Sequence, residues 1–107
     1  MEMSQYQIVV VNLDPTVGSE IKKTRPCVIL SPDEMNDHLK TVVVAPLTST
    51  KRNYPTRCKV EIGGRISRVA LDQLRTIDKQ RIIEVQHRLS SKEILEIKSI
   101  LRKTYIE

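Results

Sequence analysis

Two separated blocks of this chain carry the residue types that grip a phosphodiester. The first is Leu13-Asp14-Pro15-Thr16-Val17-Gly18-Ser19-Glu20, continuing through Lys22 and Lys23 to Arg25-Pro26. The second is Pro46-Leu47-Thr48-Ser49-Thr50-Lys51-Arg52. Each joins a β-like apolar run to a stretch rich in hydroxyls and cations, more polar and more basic than closing a turn requires. Brought together, they would combine three chemistries. An arginine guanidinium can give two parallel donors to two phosphate oxygens. A serine or threonine hydroxyl can donate to another. A carboxylate can accept a proton, a task that a raised pKa would suit. No metal-ligand cluster accompanies them, and no zinc spacing occurs anywhere in the chain.

The elements that must position these blocks read as mainly β. Tyr6 to Leu13 is β-rich, Pro26 to Leu30 is a second short apolar run, and Thr41 to Pro46 is a buried strand. Between the last two, Ser31-Pro32-Asp33-Glu34 predicts a short helix, with Ser31 as cap, Pro32 at the first helical position and Glu34 completing a capping box. Thr56 to Ile62 alternates, with Cys58, Val60 and Ile62 on one face and Arg57, Lys59 and Glu61 on the other. Gly63-Gly64 is a hairpin turn signal, and Ile66 to Leu71 returns as the partner strand. Arg75-Thr76-Ile77 and Arg81 to Val85 are two further short strands. The pattern changes at Ser90, where Ser90-Ser91-Lys92-Glu93 forms a capping box. Ile94, Ile97, Leu101 and Tyr105 follow at helical spacing with Ile100 beside them, while Glu96, Lys98, Arg102 and Lys103 form the wet face. The expectation is one domain over residues 1–107, a small curled β structure closed by a C-terminal helix.

Composition bounds the function. The chain has 107 residues, no Trp, no Phe and three Tyr, so its core must be built from Val, Ile and Leu. Its formal net charge is +5, which favours an anionic partner without naming one. No apolar run approaches the ~20 residues that span a bilayer, and the opening Met1-Glu2-Met3-Ser4-Gln5 is polar. A cytoplasmic protein is therefore expected, with no membrane partner. Cys27 and Cys58 stand apart and read as reduced structural thiols in strands.

Leu13-Asp14-Pro15-Thr16, Gly18-Ser19-Glu20, Arg25-Pro26, Ser31-Pro32, Pro46-Leu47-Thr48-Ser49 and Asp72-Gln73-Leu74-Arg75-Thr76-Ile77-Asp78 occur in that order. This ordered set resembles the MazF/PemK-type toxins, the endoribonucleases of type II toxin–antitoxin systems, from about Ile8 to the C-terminal helix. The resemblance implies an SH3-like curled β-barrel with a short internal helix and a C-terminal helix. It also implies a two-fold homodimer, cleavage of single-stranded RNA at short sequences, no cofactor, and a cognate antitoxin with an acidic, partly disordered segment. Carried over residue by residue, the main catalytic pair would be Arg25 and Thr48, with Glu20 in a loop over the site. Some relatives carry Arg two residues before the Asp of Asp-Gln. This chain has Ala70 there and Arg68 two residues earlier, on the same strand face.

RNA can be cut by its own 2′-OH, which attacks the adjacent phosphorus. Arg25 suits stabilisation of the phosphorane, but arginine almost never deprotonates, so Glu20 is the available base. His38 and His87 lie in no motif block, which disfavours a two-histidine mechanism. Ser49, Lys22, Lys23, Lys51 and Arg52 are candidate RNA contacts, cations that position a strand without specifying its sequence. Asp72 and Gln73 are candidates through their shared block, and Tyr54 is the one loop aromatic that could stack a base. Each has a plainer alternative. Arg25 could be a surface cation, and Thr48 and Ser49 could satisfy turn amides. Glu20, Lys51 and Arg52 could be solvated loop groups. Asp72 could hold Arg75 or a loop amide, and Tyr54 could pack before Pro55. Two other functions compete with RNA cleavage. One is a non-catalytic toxin of the same fold that poisons DNA gyrase, which would need neither Arg25 nor Thr48. The other is a plain RNA-binding barrel, which would use sheet aromatics that this chain lacks.

Overall fold

A computed structural model describes residues 3–13, 24–49 and 52–107 of the chain. The strands are β1 (Gln7–Asn12), β2 (Thr24–Ile29), β3 (Thr41–Thr48), β4 (Arg57–Ile62), β5 (Arg65–Ala70), β6 (Arg75–Asp78) and β7 (Ile82–Arg88). The helices are α1 (Asp33–His38) and α2 (Ser91–Tyr105), with a 3₁₀ turn at Lys79–Arg81. The sheet runs β4-β5-β3-β2-β1-β7, and β6 pairs with β3. Its strand pairs are all antiparallel. The mainly β, curled half-barrel with a short internal helix and a C-terminal helix is the expected architecture. Among the described residues, no helix is long and apolar enough to cross a membrane.

The central strands are apolar on both faces because each face has its own core. Ile8, Val28, Ala45 and Leu47 join Cys58, Val60, Val69, Leu71, Leu89, Ile94 and Ile97 in one cluster. Val9, Val11, Cys27, Ile29, Val42, Val44, Ile77 and Ile82 make the other. Alternate residues of β1, β2 and β3 therefore point into opposite cores, which is why their sequences read as continuous apolar runs. Strand β4 alternates as expected, with Cys58 and Val60 buried and Lys59 and Glu61 exposed, while Arg57 is partly covered and β5 is buried from Arg68 to Ala70.

Two local readings divide at the helices. At α2 the capping box forms as expected: Ser90 Oγ accepts from the Glu93 amide, and the Glu93 carboxylate accepts from the Ser90 amide at 3.0 Å. Ile94 and Ile97 are buried, and the Tyr105 hydroxyl donates to the Leu71 carbonyl, tying the helix end to the sheet. At α1 the capping box is overturned. The N-cap is Pro32, with no side-chain cap bond. Ser31 is buried instead, its hydroxyl donating to Asn36 Oδ1 at 2.5 Å and accepting from the Val43 amide at 3.0 Å. A buried hydroxyl serves the partners that would otherwise be left unsatisfied, and here those partners lie on β3 and in α1.

Strand β3 is bent by a change of partner. Residues Thr41 to Val44 pair with β6, and Leu47 and Thr48 pair with β5. Ala45 and Pro46 fall between the two ladders, where a residue without an N–H costs no ladder bond on that edge. On its other edge β3 pairs with β2 only from Val44 to Pro46, opposite Ile29 to Cys27. That ladder stops where β2 reaches Pro26. Arg25 and Thr48 lie just beyond the end of that ladder.

Candidate active site

The parted strands leave a cavity of about 260 Å³ lined by Leu13, Arg25, Cys27, Val44, Pro46, Gln73, Leu74 and Arg75. Its floor is the edge of the second core, and its rim is cationic. Arg25, on the exposed end of β2, donates from Nε to the Leu47 carbonyl at 3.2 Å. This bond engages Nε and leaves the two terminal nitrogens of the fork outside it. Leu47 precedes Thr48, so the bond ties the Arg25 guanidinium to the strand end that carries the hydroxyl. The β2–β3 ladder ends at Cys27 and Pro46, two residues short of Arg25 and Thr48. Thr48 is half-buried as the last residue of β3, and Ser49 follows it, exposed.

Cys27 lies on the same face as Arg25, two residues on. Burial pushes its thiol up to about 11, against the opposing pull of Arg25 and Arg75. It is a neutral wall of the cavity. Cys58, in the other core, is pushed up to about 12 by burial, with Glu96 and Glu93 adding to the rise. Both are free and buried.

A second cluster forms beside the cavity. Asp72 accepts from Arg57 Nε at 2.9 Å and from Thr56 Oγ1 at 3.1 Å. The Arg57 guanidinium, first of several causes, holds the Asp72 carboxyl below the usual carboxylate range. The partner of Asp72 is thus Arg57, fifteen residues away, rather than Arg75. The Arg57 guanidinium also lies 5.1 Å from the Tyr54 ring centroid, a cation–π spacing. Arg52 Nη1 donates to the Tyr54 hydroxyl at 3.1 Å. Tyr54 remains 42% exposed, so it is held by cations rather than packed into the core.

Of the residues singled out from sequence, Arg25 and Gln73 line the cavity, and Thr48 and Ser49 end the adjacent strand. Arg52, Tyr54 and Asp72 belong to the neighbouring cluster. Glu20, Lys22, Lys23 and Lys51 lie outside the described residues. Sequence reasoning passed over Cys27, Leu74 and Arg75 as cavity walls and Arg57 as the partner of Asp72. Strand alternation from Arg25 would have found Cys27. No local signal joins Arg57 to Asp72, since their meeting depends on the β4–β5 register, which sets Arg57 opposite Ala70. His38 closes α1 with Nδ1 at 2.7 Å from the Glu34 carbonyl, and neither it nor His87 lines the cavity.

Residues 4–105 match the family described as PemK-like, MazF-like toxin of type II toxin–antitoxin system. Over 105 residues the chain is 32% identical to the Endoribonuclease MazF of Staphylococcus saprophyticus, covering 92% of this chain and 88% of that one. It is 34% identical over 96 residues to the Endoribonuclease MazF of Staphylococcus epidermidis, covering 84% and 80% respectively. Among solved structures, a chain of the MazE-MazF crystal (Form-II) from Deinococcus radiodurans superposes with a TM-score of 0.82 at 24% identity, over 96% of this chain and 95% of that one. That last likeness bears on the fold alone and agrees with the curled β architecture that the resemblance implied.

Proposed function

We propose an endoribonuclease activity for this chain, which belongs to the PemK-like, MazF-like toxin family of type II toxin–antitoxin systems. The substrate is single-stranded RNA, and the reaction is attack by the substrate 2′-OH on the neighbouring phosphorus. The P–O2′ bond forms as the P–O5′ bond breaks, leaving a 2′,3′-cyclic phosphate and a 5′-OH whose proton comes from solvent. Arg25 holds the non-bridging oxygens as charge builds on the phosphorane. Thr48 donates its hydroxyl to the same group, and Glu20 is the candidate base that takes the 2′-OH proton. Ser49, Lys22, Lys23, Lys51, Arg52, Tyr54, Asp72 and Gln73 remain the candidate RNA contacts. Among these, Tyr54 is best suited to stacking a base, since it is exposed and braced by Arg52 and Arg57.

The observation that carries this reading is the bond from Arg25 Nε to the carbonyl of Leu47. It holds a bidentate donor at the mouth of a cavity and one residue from a hydroxyl, two groups that can share the non-bridging oxygens of one phosphate. The family is that of toxins in type II toxin–antitoxin systems, and the reading adds a cognate antitoxin whose acidic segment competes with RNA for the basic rim. A cytoplasmic homodimer completes the reading. The test is incubation of the purified chain with a long defined RNA in EDTA, followed by analysis of both new ends. Cleavage with 5′-OH and cyclic phosphate ends is expected. Ends bearing 5′-phosphate, loss of activity in EDTA, or cleavage that survives a 2′-deoxy substitution at the cut nucleotide would overturn it.

A further inference from the structure

Among the described residues, three polar or charged side chains are buried: Ser31, Asn36 and Arg68. Ser31 and Asn36 bond each other. Arg68 is 8% exposed and sits on β5. A guanidinium taken out of water costs several kcal/mol before its partners repay it, and an apolar side chain of similar volume would fill the position without that cost. A buried arginine at such a place calls for a role beyond filling space.

Its neighbours supply one. The β3–β5 register sets Arg68 directly opposite Thr48. Directly opposed residues point to the same face with Cβ atoms about 4.5–5.5 Å apart. On the other side of Thr48, beyond the end of the β2–β3 ladder, Arg25 donates to the carbonyl of the preceding residue, Leu47. Thr48 therefore lies between Arg25 and Arg68, which reach it from the strands on either side. Arg68 Nη2 also donates to Asn53 Oδ1 at 3.1 Å. Asn53 belongs to the segment that leaves β3 after Thr48 and returns at β4. Arg68 thus ties the strand that carries the hydroxyl to the segment that leaves it.

We infer that Arg68 is a positioning residue for RNA cleavage, acting through Thr48 and Asn53 rather than on the substrate. This rests on the endoribonuclease reading and deepens it. Its burial leaves little surface for a phosphate, whereas its planar fork can brace several groups at once. The brace fixes the direction of the Thr48 hydroxyl while Arg25 grips the scissile phosphate from the opposite strand. A misplacement of about 1 Å in such a group costs on the order of a hundredfold in rate.

The test is a set of single-turnover cleavage rates for wild type, Arg68→Gln, Asn53→Ala, Thr48→Ala and the two doubles that combine Thr48→Ala with each of the others. Binding is read in parallel with an RNA carrying 2′-deoxy at the cut site. Arg68→Gln should slow cleavage by about tenfold to a hundredfold and Asn53→Ala by a smaller factor, while affinity for the uncleavable RNA stays near wild type. On the Thr48→Ala background neither change should slow the reaction further, because groups that act as a unit are not additive. If Arg68→Gln does not fold, Asn53→Ala at an exposed position decides the matter alone. The inference is overturned if Asn53→Ala cleaves at the wild-type rate, or if the losses persist undiminished on the Thr48→Ala background. A wild-type chain that leaves RNA intact defeats the endoribonuclease reading itself, before any variant is compared.

Discussion

Replacing Arg25 by Ala separates catalysis from folding, because the two costs differ in size. Arg25 lies at the exposed end of β2, where its Nε bond to the Leu47 carbonyl at 3.2 Å is the structural loss. A bond of that kind contributes about 0.5–1.5 kcal/mol. Against the ~5–15 kcal/mol typical of a folded domain, that leaves nearly all molecules native. Loss of one preorganised donor to a transition-state oxyanion costs about 2.7–4 kcal/mol, a factor of roughly 10²–10³ in rate. A drop of that size therefore cannot come from unfolding. Arg25→Lys keeps the charge but not the fork. One ammonium cannot hold the Leu47 carbonyl and bridge two phosphate oxygens, so most of the loss should remain. The assay is single-turnover cleavage of a defined RNA in EDTA, with thermal melts of each variant. An Arg25→Ala rate within about tenfold of wild type, less than ~1.4 kcal/mol, would refute the role given to Arg25.

The cysteines should be inert in the native protein. With Cys27 raised from 9.0 to about 11 and Cys58 to about 12, thiolate fractions at pH 8 fall roughly a hundredfold and a thousandfold below an ordinary thiol. Alkylation should be slow until urea unfolds the chain, and fast native labelling would contradict this. The same shifts give stability that is present below pH 9 and lost as pH rises toward those folded values, which alkaline urea melts would follow. Burial alone would raise the Glu93 carboxyl, but bonds from the Ser90 and Glu61 amides outweigh it and the net is a lowering from 4.5. Its stabilising effect should be present above about pH 4.5 and vanish as pH falls through its folded value. Glu93→Ala, which strips the cap and the Glu61 amide of their acceptor, should cost about 0.5–1.5 kcal/mol at pH 7 and less in acid. An equal cost at both pH values would show that packing, not charge, is at work. Arg52→Glu should weaken RNA and an acidic antitoxin segment together, mainly by slowing association at low salt. A variant that loses one ligand and keeps the other would break the shared-rim proposal.

Features fixed by neighbours in sequence were legible in the chain. Gly63 and Gly64 both adopt positive φ, 57° and 80°, so the turn between β4 and β5 is set by two residues that favour it. The Ser90 box needs only residues three apart. The similar signature at Ser31 failed because its hydroxyl had a competitor twelve residues away, the amide of Val43. A local pattern cannot anticipate a buried donor on another strand. The plainer reading of Asp72 as an anchor for an arginine stands, but the arginine differs: Arg75 is near it in sequence, and the β4–β5 ladder delivers Arg57.

The pairing of Arg25 with Thr48 lies between these cases. Twenty-two residues separate Arg25 from the carbonyl of Leu47 that it holds, so no periodicity relates them. Yet a proline lies beside each, Pro26 directly after Arg25 and Pro46 two residues before Thr48. A proline inside a strand removes a ladder donor. Pro46 is the last β3 residue paired with β2, and Pro26 lies just beyond its partner Cys27. Both prolines therefore sit where the β2–β3 ladder ends, beside the cavity. Their closeness to the two cationic, hydroxyl-rich blocks was visible in the sequence. Their closeness to each other needed the register.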